Sequence, residues 1–292
     1  MIRILGTMFA GLLGLAFGSF LNVCVSRWPE GESIARPRSH CRSCSRTLAW
    51  WENVPLVSWL ALRGRCRSCS AWIGWRYPLV ELAVGALWAV TAWRSLPLFL
   101  DPNAAAMDCY YALADAIGKM IFHWLLVGLA VLDAEYLWLP NWITLPGTLV
   151  GLVLSYVLMV HHEHRPDIGV RYAYPAIYLA AGILAAAGLV LLIRWVYWLI
   201  RRREGIGLGD AKLMAMLAAW LGLPGALLAF GLGVVLGALV ALVLLAIPSA
   251  RSESERWALT KLPLGTFLCI GGIISSLWGH PIIAAYLRWS GF

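Results

Sequence analysis

The stretch Gly207-Leu208-Gly209-Asp210-Ala211-Lys212 runs into the apolar sequence 213–223, then Leu223-Pro224-Gly225 and further apolar residues. A carboxylate therefore stands where a chain enters a membrane. After glycines and before an apolar helix, an Asp most often accepts a backbone hydrogen bond as an N-cap. An ionisable group at a membrane boundary also points to function. A second acid strengthens that reading: Asp133 closes the apolar run 120–132 and precedes Glu135-Tyr136-Leu137-Trp138-Leu139-Pro140-Asn141. Two carboxylates placed in this way suit paired acid-base chemistry.

Composition extends the reading to the whole chain. Of 292 residues 61% are hydrophobic and 13% charged, whereas soluble chains run near about 45–50% apolar and about 25% charged. The class expected is an all-α polytopic membrane protein. Apolar stretches suited to crossing, about 20 residues each, fall at 4–25, 78–100, 114–133, 143–160, 174–200, 211–224, 226–248 and 264–287. That makes about eight transmembrane helices, with the boundary at Leu223-Pro224-Gly225 the least sharply marked. The first stretch exceeds a signal-peptide core and lacks a small-residue cleavage site, so it is read as a span. Gly14 and Gly18 in it stand four apart, as close helix packing requires.

Basic residues set the orientation. The loop 27–76 carries nine Arg, and the segments 194–212 and 249–263 add five and three basic residues, while the alternate side holds Arg3, Arg94, Arg165, Arg171 and Arg288. The loop is therefore expected in the cytoplasm and both termini outside. By parity the third span exits into the cytoplasm at Asp133 and the sixth enters from it at Asp210, with spans four and five as an out-and-back hairpin between them. The formal charge of +8 is accounted for by topology, and no nucleic-acid partner is needed.

The expected organisation is a first transmembrane helix (1–26), a cytoplasmic zinc-binding loop domain (27–77) and a membrane domain (78–292). In the loop, Cys41-Arg-Ser-Cys44 and Cys66-Arg-Ser-Cys69 form two CxxC knuckles. Four thiolates so paired suit tetrahedral zinc, and a piece this small benefits from a metal staple. Redox or disulfide pairs are the competing reading, which a reducing cytoplasm disfavours. Cys24, Cys109 and Cys269 read as packing residues. The aromatic stretch 50–60 suits contact with a bilayer surface.

Several of these stretches resemble the type IV prepilin peptidases, a family of GxGD-type intramembrane aspartyl proteases. They are Gly18-Ser19-Phe20-Leu21-Asn22-Val23, the four-Cys loop with Asn53-Val54-Pro55 and Leu62-Arg63-Gly64, and Arg76-Tyr77-Pro78-Leu79-Val80-Glu81-Leu82. They continue with Asp133 and Leu139-Pro140, Thr144-Leu145-Pro146, Gly207 to Leu213, and Leu262-Pro263-Leu264-Gly265. The resemblance implies an enzyme of the bacterial inner membrane. It would cut the short basic leader from prepilins or pseudopilins of type IV pili or type II secretion, then methylate the new N-terminus with S-adenosylmethionine. It places catalysis on Asp133 and Asp210. Where the family commonly has a further Asp after Leu-Pro, this chain has Asn141, so Asp133 carries that role.

Residue chemistry agrees, since an aspartyl protease needs two close carboxylates, one activating water and the other protonating the scissile carbonyl. Gly207 and Gly209 would allow close approach or positive φ beside Asp210. Lys212 would hold substrate or, more commonly for such a residue, reach to the interface. Arg76 and Glu81, where the loop joins the second span, are the candidates for methylation. Helix dipoles assign the negative charge to Asp210, at the start of its helix, and the shared proton to Asp133, at the end of its own. Asp115, Lys119 and His123 read as ion-paired helix contacts, and His161 to His164 as a solvated turn. A peptidase without methylation, or a zinc-stabilised transporter, remain the alternatives; a transporter would place its acids at the midplane and repeat its halves.

Overall fold

The computed structural model describes residues 1–163, 174–203, 205, 207–246 and 262–291. Its elements are α1 (Ile2–Arg27), a 3-10 turn (Trp50–Asn53), α2 (Val57–Ala61), α3 (Arg76–Phe99), α4 (Ala106–Tyr136), α5 (Asn141–Glu163), α6 (Pro175–Arg201), α7 (Leu208–Ala246) and α8 (Leu264–Ser290). Among the described residues, β pairing is limited to two isolated bridges, His40 with Thr47 and Arg65 with Trp72. Apolar helices satisfy their backbone internally, as a bilayer demands. Their ends are marked by local chemistry: Pro175 opens α6, while Arg202 and Gly291, both left-handed, close α6 and α8.

Seven of these helices are long and apolar enough to cross a membrane, against the eight stretches expected. The difference lies in α7, whose 39 residues break at Gly222 (φ 68°, ψ 170°). The expected sixth and seventh stretches are its two arms, and the break falls just before Leu223-Pro224-Gly225. Only glycine takes that φ without strain.

The chain divides into two compact units, 1–128 and 129–292. In the first, α1 and α3 lie antiparallel and almost touching. A Cβ at Gly14 would stand 2.9 Å from Gly85 Cα, and one at Gly18 2.7 Å from Glu81 Cα. The glycine spacing therefore does what the sequence suggested. The indole of Trp88 donates to Met120 O (2.9 Å) and that of Trp124 to Phe17 O (3.1 Å), which ties the first part of α4 to the pair. Lys119 binds Asp115 at 2.6 Å, and the fully buried His123 meets Thr91 Oγ1 at 3.4 Å. The ion pair lies within α4, and the His123 contact joins α4 to α3.

In the second unit the two arms of α7 fold back on each other. The second arm meets α8 in reverse order: Gly225 beside Ser275, Ala229 beside Gly271, Gly233 beside Leu268 and Gly237 beside Phe267. The first arm starts level with the beginning of α8, since Leu139 packs against both Gly209 and Gly265. The first arm, 208–221, is thus about 20 Å long and ends short of a bilayer's width. Trp220 Nε1 donates to Gly147 O (2.8 Å) and Ser155 Oγ to Ala219 O (2.7 Å), which hold the turn against α5.

Candidate functional site

Asp133 lies in the last turn of α4 and is 5% exposed; Asp210 lies in the first turn of α7 and is 7% exposed. α4 stops at Tyr136, because Leu137 turns left-handed (φ 50°) and its N–H closes on Asp133 O at 2.9 Å. That is an αL helix cap on a residue with a side chain, and strain of this kind gathers at functional sites.

Asp210 is not an N-cap. With α7 beginning at Leu208 it stands at N3, and its Oδ2 accepts the N–H of Gly207, the cap residue, at 3.1 Å. This is one half of a capping box. Gly207 and Gly209 both keep negative φ. Their use is close approach, because a Cβ on Gly209 would stand 3.1 Å from Leu139 Cβ.

The other acid is held from a distant part of the chain. Asp133 Oδ2 accepts the N–H of Thr266 at 2.7 Å and its hydroxyl at 3.3 Å, and the same hydroxyl reaches Ala130 O at 3.0 Å. Thr266 sits in the first turn of α8. The helix-dipole contrast expected between the two acids is therefore absent: Asp133 ends α4 but meets the amino end of α8, so each carboxylate faces a helix N-terminus. Helix dipoles thus favour neither acid as the holder of the charge.

Leu139 packs against both Gly209, the neighbour of Asp210, and Gly265, which lies against the Asp133 carboxylate. Two acids 77 positions apart in sequence are thereby brought into one buried place. The hydrogen bonds just named use Oδ2 of each acid, and the Gly265 amide also bonds the Asp133 carboxylate. Gly265, Thr266, Leu139 and Cys269 complete the surroundings and were not singled out as site residues from sequence. The signal available was Pro263 opening a helix next to Gly265.

A Cβ on Gly265 would stand 2.9 Å from Asp133 Cγ and 2.9 Å from its Oδ2. Gly265→Ala is expected to displace that carboxylate and lower the activity of the pair by roughly 100-fold, the cost of a misplacement near 1 Å. Steady-state rates with the variant check this. Lys212 Nζ donates to Asn141 Oδ1 at 2.6 Å, which joins the starts of α5 and α7. Asn141→Asp should keep this bond as an ion pair and leave activity within about threefold, as expected of an exposed pair. A gain or loss of an order of magnitude in the same assay would place Asn141 in the chemistry.

In the first unit the four Sγ atoms of Cys41, Cys44, Cys66 and Cys69 lie within 4.8 Å of one another. Cys41 and Cys69 are 3.8 Å apart, and Cys44 and Cys66 4.0 Å. Tetrahedral zinc at about 2.3 Å from each sulfur sets those edges near 3.8 Å, so the donors fit the ion in kind and spacing. Both knuckles use one turn. Ser45 and Ser70 are left-handed, and their N–H groups bond Cys41 O and Cys66 O at 2.8 and 2.9 Å. The amides of Cys69 and Ser68 bring the Cys66 thiol down to about 6. For Cys69 the Ala71 amide pulls the same way, but burial and the neighbouring thiols outweigh it and push that thiol up to about 11. One thiolate in a close group of four raises the cost of the next.

The loop around the cluster is fixed by Glu52. The Ala49 amide, at 2.7 Å, and Arg46 hold its carboxyl below the ordinary carboxylate range. Gly64 must be glycine, because it is left-handed and a Cβ would come within 2.7 Å of Trp72 and 2.9 Å of Trp59. Arg76 lies at the start of α3, donates to Ser26 Oγ at 2.8 Å and stacks over Tyr77. Glu81 is 7% exposed and accepts the Leu56 N–H at 2.8 Å. Of the histidine-rich stretch, residues 161–163 continue α5 and His164 lies outside the described residues.

Comparison with known proteins finds two family models. Residues 12–95 match the Bacterial Peptidase A24 N-terminal domain and residues 120–242 the Type IV leader peptidase family. The prepilin leader peptidase/N-methyltransferase of Pseudomonas putida is 34% identical over 305 residues, covering 97% of this chain and 94% of the relative. That of Stutzerimonas stutzeri is 32% identical, with 96% and 93% covered. That of Myxococcus xanthus is 38% identical over 239 residues, with 80% and 63% covered. No solved structure matches.

Proposed function

The chain belongs to the type IV leader peptidase family, and from that premise we propose that it cuts the leader from prepilins or pseudopilins with Asp133 and Asp210 and then N-methylates the trimmed product. The observation that carries this is the burial of both acids, from different helices, in one place at the start of α8.

One carboxylate takes a proton from water as the water oxygen attacks the scissile carbonyl carbon, and the other donates its proton to the carbonyl oxygen. Collapse of the tetrahedral intermediate breaks the C–N bond, and the leaving amine takes up a proton. Thr266 and Gly207 hold the two carboxylates by their Oδ2 atoms through these transfers. Gly207, Gly209 and Lys212 shape the loop that presents Asp210, with Lys212 acting on Asn141 as a strut.

Methylation uses S-adenosylmethionine as donor. The freed pilin amine attacks the methyl carbon, the carbon–sulfur bond breaks with its electrons passing to sulfur, and the amine releases a proton to water. Cys41, Cys44, Cys66 and Cys69 would hold a structural zinc that keeps the domain 27–77 in shape; Arg76 ties that domain to α1 through Ser26, and Glu81 ties it to α3 through the Leu56 amide. Lipid covers the apolar helices. The bias of basic residues, seventeen in the loop 27–76 and the segments 194–212 and 249–263 against five on the alternate side, supports a bacterial inner-membrane protein with the zinc loop and both acids at the cytoplasmic face and both termini outside. The hairpin of α7 agrees, since it returns the chain to the level from which α8 starts.

The test is a purified protein incubated with a precursor pilin and labelled S-adenosylmethionine, with product mass and N-terminal label read together. Loss of the leader with gain of one methyl is expected. Leader loss alone would leave a peptidase, and an uncut precursor would refute the proposal.

A further inference from the structure

The amino end of α8 has no cap of its own. Pro263 stands at the cap position and makes no side-chain hydrogen bond, although the first amides of a helix have no partners within it. Those amides go to α4 instead: Asp133 Oδ2 accepts the N–H of Thr266 at 2.7 Å, and the Gly265 N–H bonds the same carboxylate. Asp133 therefore caps α8 from 133 positions away in the chain.

The Thr266 hydroxyl adds a contact that the amides cannot. Its oxygen lies 3.0 Å from Ala130 O and 3.3 Å from Asp133 Oδ2. A hydroxyl has one proton to give, so it serves one of these acceptors at a time, and the charge on Asp133 decides which. When Asp133 is a neutral acid its Oδ2 is already served by the Thr266 amide, and the hydroxyl proton goes to the nearer Ala130 O. When Asp133 is a carboxylate it is the better acceptor, because hydrogen bonds to an ionised group are stronger than neutral ones. Rotation about the Cβ–Oγ bond is enough to change partner, and neither α4 nor α8 has to move.

We propose that Thr266 is a positioning residue for the pair, whose hydroxyl turns to Asp133 when that acid is charged and back to Ala130 O when it is neutral. This rests on the peptidase reading given above, in which each acid changes its protonation state during one turnover. The amides hold Asp133 in place throughout. The hydroxyl adds its bond only in the part of the cycle where Asp133 carries charge.

The full chain, zinc-loaded and in detergent, is assayed with a precursor pilin. Thr266→Val removes the hydroxyl and keeps the amide and the bulk, Thr266→Ala removes it with less bulk, and Thr266→Ser keeps it. Leader cleavage by the Val and Ala variants is expected to show kcat lowered at least about tenfold, the loss of a hydrogen bond to a charged group, with KM within about twofold. Thr266→Ser should stay close to the unaltered protein. Infrared difference spectra of Asp210→Asn protein between acid and alkaline pH, less those of the double variant Asp133→Asn, Asp210→Asn, isolate the Asp133 carboxyl. Adding Thr266→Val, or Thr266→Ala should the first not fold, is expected to shift the carboxylate band and leave the neutral carboxyl band in place. Equal shifts of both bands would mean a fixed bond, and no shift in either would mean no contact. Failure of Thr266→Ser to keep kcat, or a loss seen in KM alone, would mean that the residue acts by shape. Each of these overturns the proposal. An uncut precursor with the unaltered protein would instead sink the peptidase reading, whereas the infrared comparison needs no substrate and decides the role of the hydroxyl separately.

Discussion

Asp210→Asn and Asp133→Asn are each expected to abolish leader cleavage, lowering its rate by at least about 1,000-fold, because each removes one partner of the proton transfer proposed for the pair. The change is nearly isosteric. In Asp210→Asn an amide oxygen remains to accept the Gly207 N–H, and in Asp133→Asn one remains for Thr266, so α4, α7 and α8 stay in place and only the acid-base function goes. Methylation of an already trimmed pilin is expected to survive in both variants, since neither acid belongs to the unit that holds the loop. Loss of both activities together would point to one shared site. Cutting within a few-fold of the unaltered protein by either variant would remove that residue from the mechanism.

Loss of the metal has the opposite pattern. The loop 28–75 owes its shape to four sulfurs, the Arg46–Glu52 ion pair and a cluster of Trp rings, and structural zinc in small domains carries folding free energy on the order of 10 kcal/mol. The purified protein is expected to contain about one zinc per chain, as four thiolates in one tetrahedral set require. Cys41→Ser, or removal of zinc by a chelator, is expected to unfold the loop and cost methylation at least about tenfold more than cleavage, because a domain of this size has little core of its own. Elemental analysis together with both assays on one preparation gives the answer. A Cys variant that stays folded, lacks metal and methylates normally would contradict it.

The helical membrane class is plain in the sequence, because apolar runs are local and need only counting. The four-sulfur set is plain too, because each knuckle is a local turn and four thiols so spaced have few other uses inside a cell. Asp133 and Asp210 stand out as acids at the ends of apolar runs. Their setting does not. The partner that fixes Asp133 is Thr266, 133 positions away, and no periodicity links them. For that reason a dipole argument built on α4 alone fails once α8 supplies a second helix end. The break in α7 lies only a residue or so from its expected place, because Leu223-Pro224-Gly225 looks like the turn while Gly222 makes it. The cavity beside the knuckles is invisible in the sequence because its wall is drawn from α1, both knuckles, the Trp cluster and α3.

The central claim is that Asp133 and Asp210 act as one catalytic pair, and an inhibitor that mimics the tetrahedral intermediate tests it most directly. A peptide spanning the leader junction, with a hydroxyethylene group in place of the scissile amide, should bind the unaltered protein at least about 100-fold more tightly than the parent peptide, as transition-state analogues do. That advantage should vanish in Asp133→Asn and in Asp210→Asn alike, measured by calorimetry on folded protein. Retention of the full advantage in either variant would contradict the pair.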